Sequence, residues 1–401
     1  MGGEIHDSGG WAKYVRELTD YLVSRGIQIK ILCRMGHIYT DQAVRASAKF
    51  GNRLPSNLYF ALRYLPNPLT VFLGVVRLVK EFKKDVDSKK ILHVHDISSS
   101  ILIGLVVAKI FKSPLIIQIH GFPLKALCID LKSHSLASNF AMLLTKIWYT
   151  SITKIISFGS NLVLVNNYEV NSFYKACGIN NKNLKVIPSA INLCRHAENL
   201  LSKNDAIEHL GLKGSEKDTI IGYIGSLRLV KNLETLIKAF GELIKSFPRL
   251  KAKLVIIGDG PIRPMLEKAA KKHEIDKNIF FLGSIPDAYR FLNAIDIFVL
   301  PSLSEGSPLS LIEAMAAGKA IIASNIPAIR EMVEDGKEAF LFDPHNPQQL
   351  KSLILTLYNN PRLREKLGEN ARRKAKRYDV NVVFPKILQI YKRVSRVSAN
   401  S

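Results

Sequence analysis

The chain has 401 residues, 47% of them hydrophobic and 23% charged, enough for two domains with separate cores and too apolar for a disordered protein. No apolar run reaches the length of a membrane span, no signal-peptide core opens the chain, and Cys33, Cys128, Cys177 and Cys194 have neither metal-ligand nor disulfide-framework spacing. The 57 Lys+Arg against 34 Asp+Glu give a net charge of +23, carried as +13 in residues 1–200, 0 in 201–350 and +10 in 351–401. Such a field attracts anionic membranes or nucleic acid, and it serves plain solubility equally well.

Short apolar runs alternate with amphipathic helical patterns, which predicts an α/β protein with parallel sheets. Gly9-Gly10 open a helix whose apolar positions Ala12, Val15, Leu18 and Leu22 fall at helical spacing, ending at Gly26 before a strand over 27–32. Residues 1–8 do not read as a buried strand, so the first strand of the N-terminal sheet is expected to be missing, through a truncated start. After an irregular stretch over 36–67, a helix over 70–84 mixes apolar residues with Arg77, Lys80, Lys83 and Lys84. That mixture suits lipid head groups, or a core helix with a solvated basic edge. Asp85-Val86-Asp87 falls in a loop and carries no metal site. The strand over 91–96 bears His93, His95 and Asp96; the next, over 115–119, ends at His120-Gly121-Phe122. Carboxyl ends of parallel strands are where α/β crevices hold ligands, although a lone histidine there also fits a structural hydrogen bond. A second basic and apolar tract spans 124–160. A strand over 162–165, a helix from near Asn167 and a strand over 185–187 close the first half at Pro188-Ser189-Ala190-Ile191-Asn192.

A linker is expected to run to about Lys217, followed by a strand over 219–224 and Gly225-Ser226. Arg228 and Lys231 stand at the start of the next helix, where a cation opposes the helix dipole unless an anion sits between. Gly258-Asp259-Gly260-Pro261 forms a strand-to-helix turn whose glycines let the backbone approach a ligand, and Gly283 ends the following strand. The strand over 297–300 leads through Glu305 and Gly306 to a helix with Ser307 as N-cap and Pro308 at the first helical position. Its free N–H groups, including those of Leu309 and Ser310, suit a phosphate. Glu305 and Glu313 flank that cradle, and carboxylates accept hydrogen bonds from sugar hydroxyls. Two helices and a basic run over 372–377 precede a last helix from Val380.

The stretch from Glu305 through Gly318, with the His-Gly-Phe-Pro turn at His120 and the Gly9-Gly10 pair, resembles the retaining glycosyltransferases of family 4 (glycosyl transferases group 1), of GT-B fold. The resemblance implies two Rossmann-like doubly wound domains facing a central cleft: residues 1–195 with the crossing helix 378–401 on the acceptor side, and 196–377 binding the nucleotide sugar. It implies Gly9 and Gly10 near the donor diphosphate, and His120 and Glu305 on the donor sugar. It further implies Glu313 on the ribose, Gly283 beside the base, and Arg228 and Lys231 clamping the diphosphate. Ser226 stands where the family has arginine, and Arg228 substitutes from two residues on. The expected reaction is metal-independent transfer of a hexosyl group, with retention, from a UDP- or GDP-linked sugar to a glycan or lipid-linked acceptor, without a cofactor. His120, Glu305, Arg228 and Lys231 would be its catalytic residues. The chain is expected in the cytoplasm, with an anionic membrane face as a further partner and nucleic acid as none. Two alternatives stay open: a nucleotide-sugar epimerase, and a catalytically silent module on membrane or nucleic acid.

Overall fold

The computed structural model describes residues 10–27, 31–32, 38–39, 75–76, 79–80, 91–95, 99–121, 129, 147, 151–156 and 159–397. Gly9, the strand expected to be missing over 1–8, Asp96, the Asp85 to Asp87 loop and most of the tracts at 36–84 and 124–150 lie outside the described residues. The chain divides into two compact units, one of residues 1–5, 15–188 and 383–401, the other of 6–14 and 189–382.

In the first unit, Leu92–His95 (β3), Leu115–Ile119 (β4), Leu162–Val165 (β5) and Leu184–Val186 (β6) form a parallel sheet in that order. The central β4 and β5 are buried at every residue, so β5 reads as an unbroken apolar run and β4 as one interrupted only by Gln118. The helix Ser99–Ile110 lies on β3 through Gly104, where a Cβ would stand 2.7 Å from Val94. Asn167 caps the helix Tyr168–Ala176 by accepting from the Val170 N–H at 2.8 Å. The first described helix, Gly10–Val23, belongs to this unit from Val15 on, its first turn through Tyr14 to the second unit, and it ends before Gly26 at φ +75°, as its sequence requires. The strand expected over 27–32 is described only at Ile31–Leu32 (β1), which pairs antiparallel with Ile38–Tyr39 (β2). The last helix, Val380–Val397, belongs to this unit from Val383 on, and its buried Phe384 meets Tyr21 edge-on at 5.5 Å. None of the described helices is long and apolar enough to cross a membrane.

In the second unit, six parallel strands follow the order β12-β11-β10-β7-β8-β9. They are Thr219–Ile224 (β7), Ala252–Ile257 (β8), Ile279–Phe281 (β9), Ile297–Leu300 (β10), Ala320–Ser324 (β11) and Phe340–Phe342 (β12). Chain order runs outward from β7 in one direction and restarts beside it at β10, which makes this a doubly wound sheet with its switch point between those two strands.

Two local expectations are corrected. The stretch expected as a linker holds two helices, Leu193–Asn199 and Lys203–His209. Asn192 and Ser202 cap them by accepting from the Arg195 and Asp205 N–H groups, and Ala206, Ile207, Leu210 and Leu212 bury an apolar face. The signature helix runs Leu309–Ala316, with Pro308 itself as N-cap in an extended conformation. Ser307 does not cap it, because its hydroxyl is taken by a tertiary contact, accepting from the Ser189 N–H at 3.0 Å.

Candidate active site

The loops at the carboxyl ends of β7 and β10 meet at the switch point, the place where a doubly wound sheet opens a crevice. After β7 the chain passes Gly225 and Ser226 to Arg228 and a short 3-10 turn, Leu229–Lys231. Asn232 then adopts a left-handed φ of +55° before the helix Leu233–Ser246. Asparagine tolerates that conformation, and its side chain uses it. The Asn232 Nδ2 donates to the Pro301 carbonyl at 3.0 Å and the Pro344 carbonyl at 2.8 Å, so one residue ties together the loops after β7, β10 and β12. The Leu303 N–H donates back to the Val230 carbonyl at 2.9 Å.

These ties bring the two chemical groups of the crevice into contact. Lys231 Nζ donates to Glu305 Oε1 at 2.7 Å, and the Ser302 hydroxyl donates to the same oxygen at 2.7 Å. The Glu305 side chain keeps only 7% of its surface exposed, so the pair interacts in a medium far less screening than water. Tyr223 senses the same charges. Burial first, and then the Glu305 carboxylate, push its phenol well above the ordinary range, while Arg228 pulls the other way. Glu305, held by Lys231, and Arg228 thus act on Tyr223 in opposite directions. Glu313, buried in the signature helix, pairs with Lys13 of the helix Gly10–Val23. The Lys13 ammonium also lies 4.1 Å from the centroid of the Tyr289 ring, and Tyr289 stacks on buried His196 at 4.6 Å.

The glycine turns sit beside these residues. The Gly225 N–H donates to the Ile257 carbonyl, the Leu227 N–H to the Asp259 carbonyl, and the Gly258 N–H to the Gly283 carbonyl at 2.7 Å. A Cβ on Gly258 would stand 1.8 Å from the Gly225 carbonyl oxygen, and one on Gly260 2.2 Å from that of Leu227. The close approach that needs these glycines is made by the chain's own backbone. Gly306, Ser307 and Pro308 follow β10 on the loop that opens the helix at Leu309 and Ser310, and a Cβ on Gly10 would stand 4.0 Å from Leu309.

His120 lies in the first unit, just past the end of β4. Its Nε2 is 3.0 Å from His95 Nδ1, and the two rings stack at 5.3 Å. Sequence reasoning ranked His93 and His95 below His120; the register shows why they belong with it. His95 pairs with Gln118, so His120 is its diagonal neighbour on the same face, and His93 precedes His95 on that face. Burial lowers His93 to about 3 and His120 to about 4, and depresses His95 as well. These rings are neutral when folded and take up protons only after unfolding, so the unfolded chain binds more protons below pH 6.5. Stability is therefore expected to fall as the pH drops from about 6.5 to about 4, by up to about 1.4 kcal/mol per pH unit for each such histidine. Melting midpoints at pH 7, 6 and 5 check this, and a flat profile contradicts it.

Asn232, Ser302 and Lys13 escaped sequence reasoning as site residues. The Asn232 signal was available, since asparagine directly before a helix invites a cap or a left-handed turn. The Lys13 partner, three hundred residues away, left no local trace.

Comparison with known proteins agrees with this geometry. Residues 8–195 match the family model described as Glycosyltransferase Family 4, and residues 208–374 the one described as Glycosyl transferases group 1. The chain is 28% identical over 306 residues to an uncharacterised glycosyltransferase of Methanocaldococcus jannaschii, covering 74% of this chain and 72% of that one. It is 25% identical over 356 residues to the alpha-monoglucosyldiacylglycerol synthase of Acholeplasma laidlawii, covering 86% of each. Among solved structures, HepE of Anabaena, in complex with UDP and glucose, superposes with a TM-score of 0.70 at 17% identity, covering 98% of both chains. With its two parallel-sheet domains of GT-B type and a family match on each half, the chain belongs to the family 4, group 1 glycosyltransferases.

Proposed function

We propose that this glycosyltransferase moves a hexosyl group from a nucleoside diphosphate sugar, UDP- or GDP-linked, to a glycan or lipid-linked acceptor, with retention at the anomeric carbon and without a metal. The observation that carries this reading is the Lys231–Glu305 pair at the switch point of the second sheet, with Arg228 three residues before Lys231 on the same loop. Two cations and the N–H groups opening the helix Leu309–Ala316 suit a diphosphate. Glu305 and His120 would orient the donor sugar, and Glu313 the ribose. The bond between the anomeric carbon and the diphosphate oxygen breaks, the acceptor oxygen takes the carbon, and its proton passes to the leaving phosphate. Lys231 and Arg228 stabilise the charge that develops on that leaving group. The basic segments at both ends of the chain would hold it to an anionic membrane, where a lipid-linked acceptor is presented.

Calorimetry with UDP, GDP and ADP, without added metal, tests the donor site on the full chain and on Glu313→Ala. One diphosphate is expected to bind the parent chain and to lose at least about tenfold in affinity in the variant, the equivalent of one hydrogen-bonded carboxylate. A folded parent chain that binds none of the three overturns the reading.

A further inference from the structure

The histidine pair at the end of β4 is one end of a longer array. His93 and His95 are two residues apart on β3, so their rings share a face, with centroids 4.1 Å apart. On the far side of His93, the Tyr391 hydroxyl lies 2.6 Å from His93 Nδ1, and the two rings meet edge-on at 5.7 Å. Tyr391 is carried by the last helix, which the buried Phe384 and Ile387 fix to the first unit. His93 Nε2 is buried and has no hydrogen-bond partner among the described residues, so the Tyr391 hydroxyl is the polar contact that holds this ring.

We propose that His95, packed against His93, is a positioning residue that holds the ring of His120 and couples its tautomer to its own. The proposal rests on the reading of His120 as a donor-sugar contact. A neutral imidazole carries one N–H, and a nitrogen that accepts a hydrogen bond leaves the proton on the other nitrogen of its ring. The His95 Nδ1 to His120 Nε2 contact holds one proton between two nitrogens. If His95 donates, His120 carries its proton on Nδ1; if His120 donates, His95 carries its own on Nε2. The two cases put the His120 proton on opposite nitrogens, and in each of them one ring's tautomer sets the other's, so the pair adopts one of two matched neutral states and the spectra say which. The low pKa values of all three rings agree with neutral imidazoles throughout. His93 supplies the wall. Its ring lies against that of His95 at 4.1 Å and is itself held by the Tyr391 hydroxyl.

Nitrogen-15 spectra of the histidine-labelled full chain, together with donor turnover, test this. In the parent chain His120 is expected to show one N–H and one bare nitrogen. His95→Leu keeps the bulk and removes the bond. It is expected to spread His120 over both tautomers and to lower kcat about tenfold, with the donor KM within about twofold, the effect of one lost orienting hydrogen bond. His95→Asn, whose amide takes the place of Nδ1, is expected to restore a single tautomer and most of kcat. Tyr391→Phe is expected to shift the His93 Nδ1 resonance and to broaden that of His120. A His120 that is cationic or tautomerically mixed in the parent chain at neutral pH overturns the proposal. So does a His95→Leu spectrum with His120 unchanged. Should the parent chain transfer no sugar, the spectra still decide the coupling, and that failure falls on the functional reading instead.

Discussion

Replacing Lys231 by alanine is expected to lower the rate of glycosyl transfer by about 10²–10³, the usual cost of removing one preorganised charge from a developing anion. The proposed role agrees with how the side chain is held. Its ammonium lies 2.7 Å from Glu305, the lysine and glutamate side chains are 21% and 7% exposed, and the Ser302 hydroxyl fixes the same carboxylate oxygen. Truncating one member of so buried a pair leaves the other's charge uncompensated, so the variant is also expected to lose about 3 kcal/mol of stability. The two effects separate in a cycle. The double variant Lys231→Met, Glu305→Gln carries no buried charge at this point and should recover most of the stability and none of the activity. Initial rates at saturating donor, measured well below each variant's melting midpoint, provide the comparison. A double variant that regains activity along with stability would reduce the pair to a structural ion pair.

The second unit was largely legible because its strands are buried on both faces. β8, β10 and β11 are mostly apolar, β8 ending before Gly258 and β10 before Pro301, and Glu305 and the Gly258 turn fall just past such runs. What stayed hidden depends on tertiary competition. Ser307 before Pro308 carries the local signature of a cap, yet its hydroxyl serves the Ser189 N–H across the fold. Asn192 and Ser202 were equally good cap signals inside the stretch expected as a linker, and there the local rule held. The first unit was harder to read. The place of His93 and His95 beside His120 depends on the register His95↔Gln118, which no local pattern encodes, so three neighbouring histidines read as one candidate and two weaker ones.

Gly258→Ala is expected to destabilise the second unit by about 3 kcal/mol or more, through overpacking and positive-φ strain acting together. Gly258 has φ +143°, and its new Cβ would stand 1.8 Å from the Gly225 carbonyl oxygen. Neither backbone can retreat. The Gly225 N–H is bonded to the Ile257 carbonyl and the Gly258 N–H to the Gly283 carbonyl, so moving one loop pulls on two others. Gly336→Ala is the control. Gly336 has φ +72° with nothing within 4 Å of its would-be Cβ, so the substitution carries backbone strain alone and should cost only about 1–2 kcal/mol. Urea unfolding of both variants measures the difference, and equal losses would remove the case for backbone crowding at Gly258. The comparison also bears on function. Ser226 and Arg228 leave β7 on the loop that Gly225 begins, so a displaced Gly225 carries them away from Lys231 and Glu305. Diphosphate affinity should therefore fall in Gly258→Ala protein that remains folded, and hold in Gly336→Ala. In this site the glycines act by letting three loops of one sheet touch, which in turn sets where the cations stand.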